Sequence, residues 1–437
     1  MKPSIKTKST LETLLVIGLI LIIPLFFAIN SGANTPETPA EISPIPPTVV
    51  VNAPEDSNAA KPKQPPACTF PLPQTTTAET TPEEYTFSEP QVVMKSEYDP
   101  NIIEWLPDNQ NVLIMPTNIQ SFDGVDGYLQ TIELFNPETQ ETQIYATRRD
   151  FGEDDPPVWN SALNAIIYPA TNVLGRKNHT RQIRISYGDP DDTQLIVDHL
   201  SQYYVTVKPD GSQIAYLTDK KLIKLDASLN PITPVSFDRK LQDYKRKHTD
   251  DVNVIYKMAW RPNSSQIFVY NWAPDNLGYT YILDADTGEL CNLNFDGWAL
   301  VTRWSPNGRY LAIIRAQGRV PLQASDLVVL DTATGNLYTL GVPQEIEGRH
   351  ILKDIAWAPD NRHLFFVGSK SDYSGMLFLG DFISGEIIHI FPSYKFKPVE
   401  VGVGLAWSPD GSKLLMNCRT LEEVAQVCLI SVQTGGQ

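Results

Sequence analysis

Six histidines, four cysteines and 51 acidic side chains are the groups of this chain with chemistry to offer. His179, His199, His248, His350, His363 and His389 lack metal-ligand spacing, His363 falling in an expected hairpin turn and His389 in an expected strand. The sequence contains no HExxH, no Gly-x-Ser-x-Gly nucleophile elbow and no glycine-rich phosphate loop, so it names no catalytic residue, no metal and no cofactor. Asp284-Ala-Asp286-Thr-Gly288 opens like a calcium loop but lacks the distal glutamate, and reads better as a turn. One enzymatic alternative survives: a hydrolase or lyase acting on polysaccharide or peptide through acidic residues. It would need only two carboxylates about 5 to 9.5 Å apart, a geometry that spacing along a chain does not reveal.

Cys68, Cys291, Cys418 and Cys428 form no CxxC pair. Cys418 and Cys428 flank a hairpin connection, which puts them on neighbouring strands, as a disulfide in an oxidising compartment or as two buried thiols. Closing so short a loop would contribute roughly 2 to 3 kcal/mol. The net charge of -16 and pI near 4.8 exclude a nucleic-acid partner, because phosphate neutralisation needs a basic surface.

These groups need a frame. The 437 residues begin with Lys2, Lys6 and Lys8, then an unbroken apolar run from Leu14 to Ile29. About 16 to 19 such residues suffice for a membrane helix. Lysines before the run and none after it until Lys61 put residues 1–10 in the cytoplasm and the bulk of the chain outside. Residues 11–30 are therefore expected as a single-pass transmembrane helix or signal-anchor, and the membrane as a partner through it. Cleavage after Ala33 would instead give a secreted protein. Residues 31–84 are rich in proline and threonine and poor in core-forming side chains, which reads as a disordered linker.

From residue 85 to 437 one motif recurs: aromatic-x-Pro-Asp/Asn-Gly, a basic or polar residue, then an apolar run. Clear copies start at Trp304, Trp357 and Trp407, weaker ones at Trp105, Val207 and Trp260, and a degenerate one at Trp159. Proline presets the second position of a turn and Gly or Asn takes its left-handed position, so the motif joins two strands. Asp284 to Gly288, Asp331 to Gly335, Asp381 to Gly385 and Ser431 to Gly435 supply a second turn. Four strands per unit of about 44 to 54 residues, seven times, predict an all-β, seven-bladed β-propeller. The last unit lacks a fourth strand, and Gln91 to Lys95 is expected to supply it. The tryptophans are expected to pack between blades.

The Trp-Ser-Pro-Asp-Gly pattern, repeated over residues 85–437, resembles the TolB-like/WD40-like (PD40) propeller repeats. That resemblance implies a protein-, peptide- or glycan-binding role and names no partner. In such a blade the b–c and d–a connections share one face and vary most, so binding is expected there. Candidate loops run from Thr147 to Pro156, Asp238 to Asp251, Asn271 to Gly278, Arg315 to Val320 and Gly368 to Gly375. They offer Arg148, Arg149, Arg246, Trp272, Arg319 and Tyr373 as candidate binding residues. The expected function is non-catalytic binding or scaffolding outside the cytoplasm.

Overall fold

A computed structural model describes residues 66–73, 84–122, 125–150, 156–175, 178–198, 204–218, 221–236, 255–272, 278–294, 298–317, 324–341, 350–370, 375–392, 404–418 and 425–435. The chain divides into two units, Met1–Ala60 and Lys61–Gln437, and everything described belongs to the second. The expected membrane segment lies outside the described residues. Among those described, no helix is long and apolar enough to cross a membrane.

Seven antiparallel sheets follow one another along the chain. Blade 1 is Asp99–Trp105, Val112–Phe122, Val125–Phe135 and Thr142–Asp150, its strands a to d. Blade 2 is Val158–Asn160, Ala165–Gly175, Asn178–Ser186 and Thr193–Val197, and blade 3 is Val205–Val207, Gln213–Leu217, Lys221–Asp226 and Pro231–Ser236. Blade 4 comprises Ile255–Trp260, Gln266–Trp272, Gly278–Asp284 and Leu290–Asn292; blade 5, Trp298–Trp304, Tyr310–Gln317, Ala324–Asp331 and Leu337–Leu340. Blade 6 comprises His350–Trp357, His363–Lys370, Gly375–Asp381 and Ile387–Ile390. Blade 7 takes Leu405–Trp407, Lys413–Asn417 and Ala425–Thr434 from the C-terminal end of the chain. The fold is thus an all-β, seven-bladed propeller of four-stranded blades.

Its core is not a single hub. Each strand alternates its side chains between two neighbouring blades, so the apolar residues sort into seven clusters, one per interface. Strand b of blade 5 shows the rule: Leu311 and Ile313 pack with Phe268 and Ile282 of blade 4, while Ala312 and Ile314 pack with Phe366 and Phe378 of blade 6. The interface between the last blade and the first obeys it too, joining Leu415 and Val427 to Ile102 and Phe135.

Every recognised motif start ends or lies within a strand a, and the turn that follows needs a left-handed residue. Gly308 and Gly411 adopt φ of 73° and 79°. A Cβ on Gly308 would also meet the Pro262 carbonyl of the preceding blade at 2.6 Å, so glycine is required there for conformation and for space.

Two N-terminal strands lie along the last strand of blade 7. Gln91–Ser96 pairs with Ala425 to Leu429, and Tyr85–Phe87 pairs with Val432 to Thr434. The ring of Tyr85 meets Trp407 edge-on at 5.4 Å, and Phe87 meets Phe365 at 5.1 Å.

One expectation is corrected. The sequence reading assigned all of 31–84 to the linker, yet residues 66–73 are strapped to the propeller. Cys68 is bonded to Cys291 in strand d of blade 4. The Cys68 N–H donates to Asn292 O, and the Asn292 N–H donates to Pro66 O. Further on, Leu72 is buried in the interface between blades 4 and 5, and its N–H donates to Thr332 O. Pro73 O accepts from the buried guanidinium of Arg261, which also bonds Gly308 O, Gln266 and Thr332. Burial lowers Arg261 to about 10, still charged at neutral pH. Composition hid the strap, because Phe70 and Leu72 sit among prolines and threonines that by count cannot build a core.

Candidate functional site: the inner strands and the loop bases

Strands a, the innermost strands of propeller blades, carry two acids whose carboxyls are raised, Glu104 and Asp354. In three blades the residue before the motif tryptophan is alanine, at 259, 356 and 406, but blade 1 has Glu104 and blade 5 has Arg303. Asp354 of blade 6 sits beside Arg303, Oδ1 to Nη2 at 3.5 Å. Burial pushes both carboxyls up. For Glu104 the Trp159 N–H and the charge of Arg303 oppose that rise without cancelling it. For Asp354 the Arg303 charge and three backbone amides likewise fall short.

Buried carboxyls raised in this way have the protonation profile of general acids. One oxygen of Glu104 and both of Asp354, however, already accept hydrogen bonds. Glu104 Oε1 accepts from the Trp159 N–H of blade 2 at 3.0 Å. Asp354 Oδ2 accepts from the Gly404 and Leu405 N–H groups of blade 7 at 2.8 and 2.9 Å, and its Oδ1 from the Ile355 N–H at 2.9 Å. Lys257 of blade 4 reaches Leu300 O of blade 5, and Ser325 of blade 5 accepts from the Leu352 N–H of blade 6. Glu104, Lys257, Ser325 and Asp354 each tie one blade to the backbone of the next.

The tryptophans do the same. The indole N–H groups of Trp105, Trp304 and Trp357 donate to Ala406 O, Ala259 O and Arg303 O, each the carbonyl just before the tryptophan of the preceding blade. Trp260 and Trp407 instead donate to Ser264 O and Gly411 O in their own turns. An indole held this way is a packing element, as expected from the motif.

The candidate binding residues fare differently from one another. Arg148 was expected in a loop, but strand d of blade 1 runs on through Asp150 and buries it. Its guanidinium donates to Gln130 Oε1 and Pro169 O at 2.7 and 2.9 Å, a further blade-to-blade tie, and so is not offered to a ligand. Arg149, on the same strand, is exposed. Trp272 ends strand b of blade 4 rather than lying in a loop, and its side chain is outside the described set. Arg246, Arg319 and Tyr373 lie outside the described residues. Among the described candidates, Arg148 and Arg149 are neighbours on one strand, the first buried and the second exposed.

Several expected loops are shorter than the sequence suggested, because strands b project further. Arg315 to Gln317 belong to strand b of blade 5, where Arg315 makes a two-pronged ion pair with Asp326 of strand c at 3.0 and 2.5 Å. Gly368 to Lys370 belong to strand b of blade 6. At the base of the b–c connection of blade 7, Cys418 and Cys428 form a disulfide, one of the two states the sequence left open. Among the described residues no group of three or more His, Cys, Asp or Glu could hold a metal ion. Sequence reasoning missed Glu104, Arg303, Asp354 and the Cys68–Cys291 bond. For Glu104 and Arg303 the available signal was a charged residue where other copies of the repeat have alanine.

No family model matches the sequence, and no curated protein matches it. Solved structures do match the fold. The β-propeller domain of Cps50 (Swd1) from Myceliophteria thermophila is 12% identical over 78% of this chain and 99% of its own, with a TM-score of 0.50. TolB from Acinetobacter baumannii is 14% identical over 72% and 79%, with a TM-score of 0.39. The β-propeller domain of the Trilobed protease from Pyrococcus furiosus is 12% identical over 80% and 95%, with a TM-score of 0.46. At these identities the likeness is one of fold: the chain is built as a β-propeller.

Proposed function

We propose that this chain is a non-catalytic binding or scaffolding propeller, held outside the cytoplasm by its N-terminal apolar segment and presenting its b–c and d–a connections to a protein, peptide or glycan. One observation carries the non-catalytic part: the two raised carboxyls of the inner strands, Glu104 and Asp354, each use one oxygen to hold the backbone of the next blade. An acid fixed in that way keeps its proton balance for the fold. The extracytoplasmic part is supported by the pairing of all four cysteines in two disulfides, the pattern of an oxidising compartment. In the same reading, the strands Tyr85–Phe87 and Gln91–Ser96 serve as the clasp that closes the ring at blade 7.

The test is a set of photo-crosslinking residues placed one at a time at 246, 319 and 373, and at Asp108 and Asp410 in the opposite turns. Crosslinks to one partner from the first group alone support the reading. Crosslinks from the turn positions instead, or turnover of peptide or polysaccharide abolished by Glu104→Gln, would overturn it.

A further inference from the structure

We infer that the Cys68–Cys291 strap is a lock on the clasp, fastening the N-terminal end of the closing strands to blade 4 so that the ring cannot fray open from that end. The inference rests on the reading of Tyr85–Phe87 and Gln91–Ser96 as closing strands.

A strand added at a sheet edge is vulnerable at its free end. Here the C-terminal end of the clasp is secured by connection, since only Glu97 and Tyr98 separate Ser96 from strand a of blade 1. The other end, at Glu84 to Ser88, holds through a three-residue ladder with blade 7, the Gly435 N–H donating to Glu84 O at 2.6 Å, a pair of hydrogen bonds between Ser88 and Ser431, and the edge contacts of Tyr85 and Phe87. By itself so short a ladder opens readily.

Ten residues separate Glu84 from Pro73, and with it the strap. The strap's hold is of a different order: one covalent bond, three backbone hydrogen bonds, and Leu72 buried between blades 4 and 5. Phe70 lies against Gly335 in the c–d turn of blade 5, where a Cβ would come within 2.6 Å of its ring. That turn carries glycine at φ 80°, and the strap fills the space that the missing side chain leaves. In the equivalent turn of blade 6 no described residue beyond its chain neighbours lies within 4 Å of a Cβ built on Gly385, and Ile383 beside it is exposed.

With both ends fixed, an opened clasp remains a closed loop whose lost contacts can re-form at once. With the strap released, it becomes a free arm. Fixing the second end removes much of the entropy gained on opening. The arrangement also decides where tension enters: a pull on the chain before Pro66 meets the disulfide and blade 4 before it can peel Tyr85–Phe87 from blade 7.

Amide exchange of the full chain, followed by mass spectrometry, tests the lock. In Cys68→Ala/Cys291→Ala, amides of residues 85–96 and their partners at 425–434 are expected to exchange at least about tenfold faster, with strands of blades 2 and 3 unchanged. A second route does not depend on that variant folding. In Cys418→Ala/Cys428→Ala the strap bond is the only disulfide, and reducing it after folding should give the same local acceleration. Unchanged exchange at 85–96 after reduction is verified by mass, or a uniform acceleration over all seven blades, would overturn the lock. The clasp reading fails separately, if deleting residues 84–96 leaves cooperative melting unaltered.

Discussion

At the scale of single residues, the propeller is held by side chains that reach over a blade boundary to a backbone group. Trp357 illustrates the magnitude: replacing it with Phe keeps most of the apolar contact but leaves Arg303 O without its donor, so the expected cost is about 1 to 2 kcal/mol in urea unfolding. Asn361 combines two roles, taking φ of 58° and accepting the Asn307 N–H of blade 5 at 2.8 Å. Asn361→Gly should cost less than Asn361→Ala, by about 1 kcal/mol, because alanine loses the bond and keeps the left-handed strain. Equal losses would show that strain is immaterial there. The inner carboxyls give a pH signature of known sign. Glu104 and Asp354 are raised in the folded chain, so the folded state holds their protons more tightly, and stability falls as pH rises from about 4, the unfolded value, through the folded one. Glu104→Gln does not titrate and can still accept the Trp159 N–H. Relative to the parent chain it should gain stability progressively as pH rises above about 4, and a constant difference from about pH 4 to 8 would contradict the assignment.

At the scale of elements, blades 5 and 6 each tie their two turns together. The basic residue after the motif glycine or asparagine, Arg309 in blade 5 and Arg362 in blade 6, forms an ion pair with the first aspartate of the c–d turn, Asp331 or Asp381. Burial raises Asp381, but Arg362, Ser384 and two turn amides outweigh it and hold the carboxyl well below the usual range. The sign is therefore opposite to that of the inner acids: this stability is complete above about pH 4 and disappears as pH falls through the depressed folded value. Asp381→Asn should destabilise by about 1 to 2 kcal/mol at pH 7 and by progressively less below pH 4, read from denaturant midpoints. The turns were legible in the sequence because their chemistry is local: Pro, Asp, Gly and Arg in a row encode turn and pair alike. The strands between them were legible from alternation. What was not legible depended on distance. Arg148 reads as a loop residue until the length of strand d is known, and the strap reads as linker until Leu72 is placed between two blades.

At the scale of the whole molecule, a ring of seven interfaces has no hub, so its stability is a chain of neighbour terms and its long-range cross-links matter out of proportion to their number. The two disulfides differ in this respect. Cys418 and Cys428 are 10 residues apart within blade 7, whereas Cys68 and Cys291 are 223 apart and join an N-terminal segment to the middle of the ring. On the polymer estimate, the first removes about 3 kcal/mol of denatured-state freedom and the second about 5 kcal/mol. Thermal unfolding of the two double-alanine variants should rank them in that order, with Cys68→Ala/Cys291→Ala melting lower. The same bonds report on location. If the N-terminal apolar segment sends the propeller across a membrane, the full chain recovered from cells should lack four thiol hydrogens by intact mass. A chain begun at residue 34 and kept in the reducing cytoplasm should retain them and melt lower. Recovery of the full chain with four free thiols would place the propeller on the cytoplasmic side and reverse the topology proposed for it.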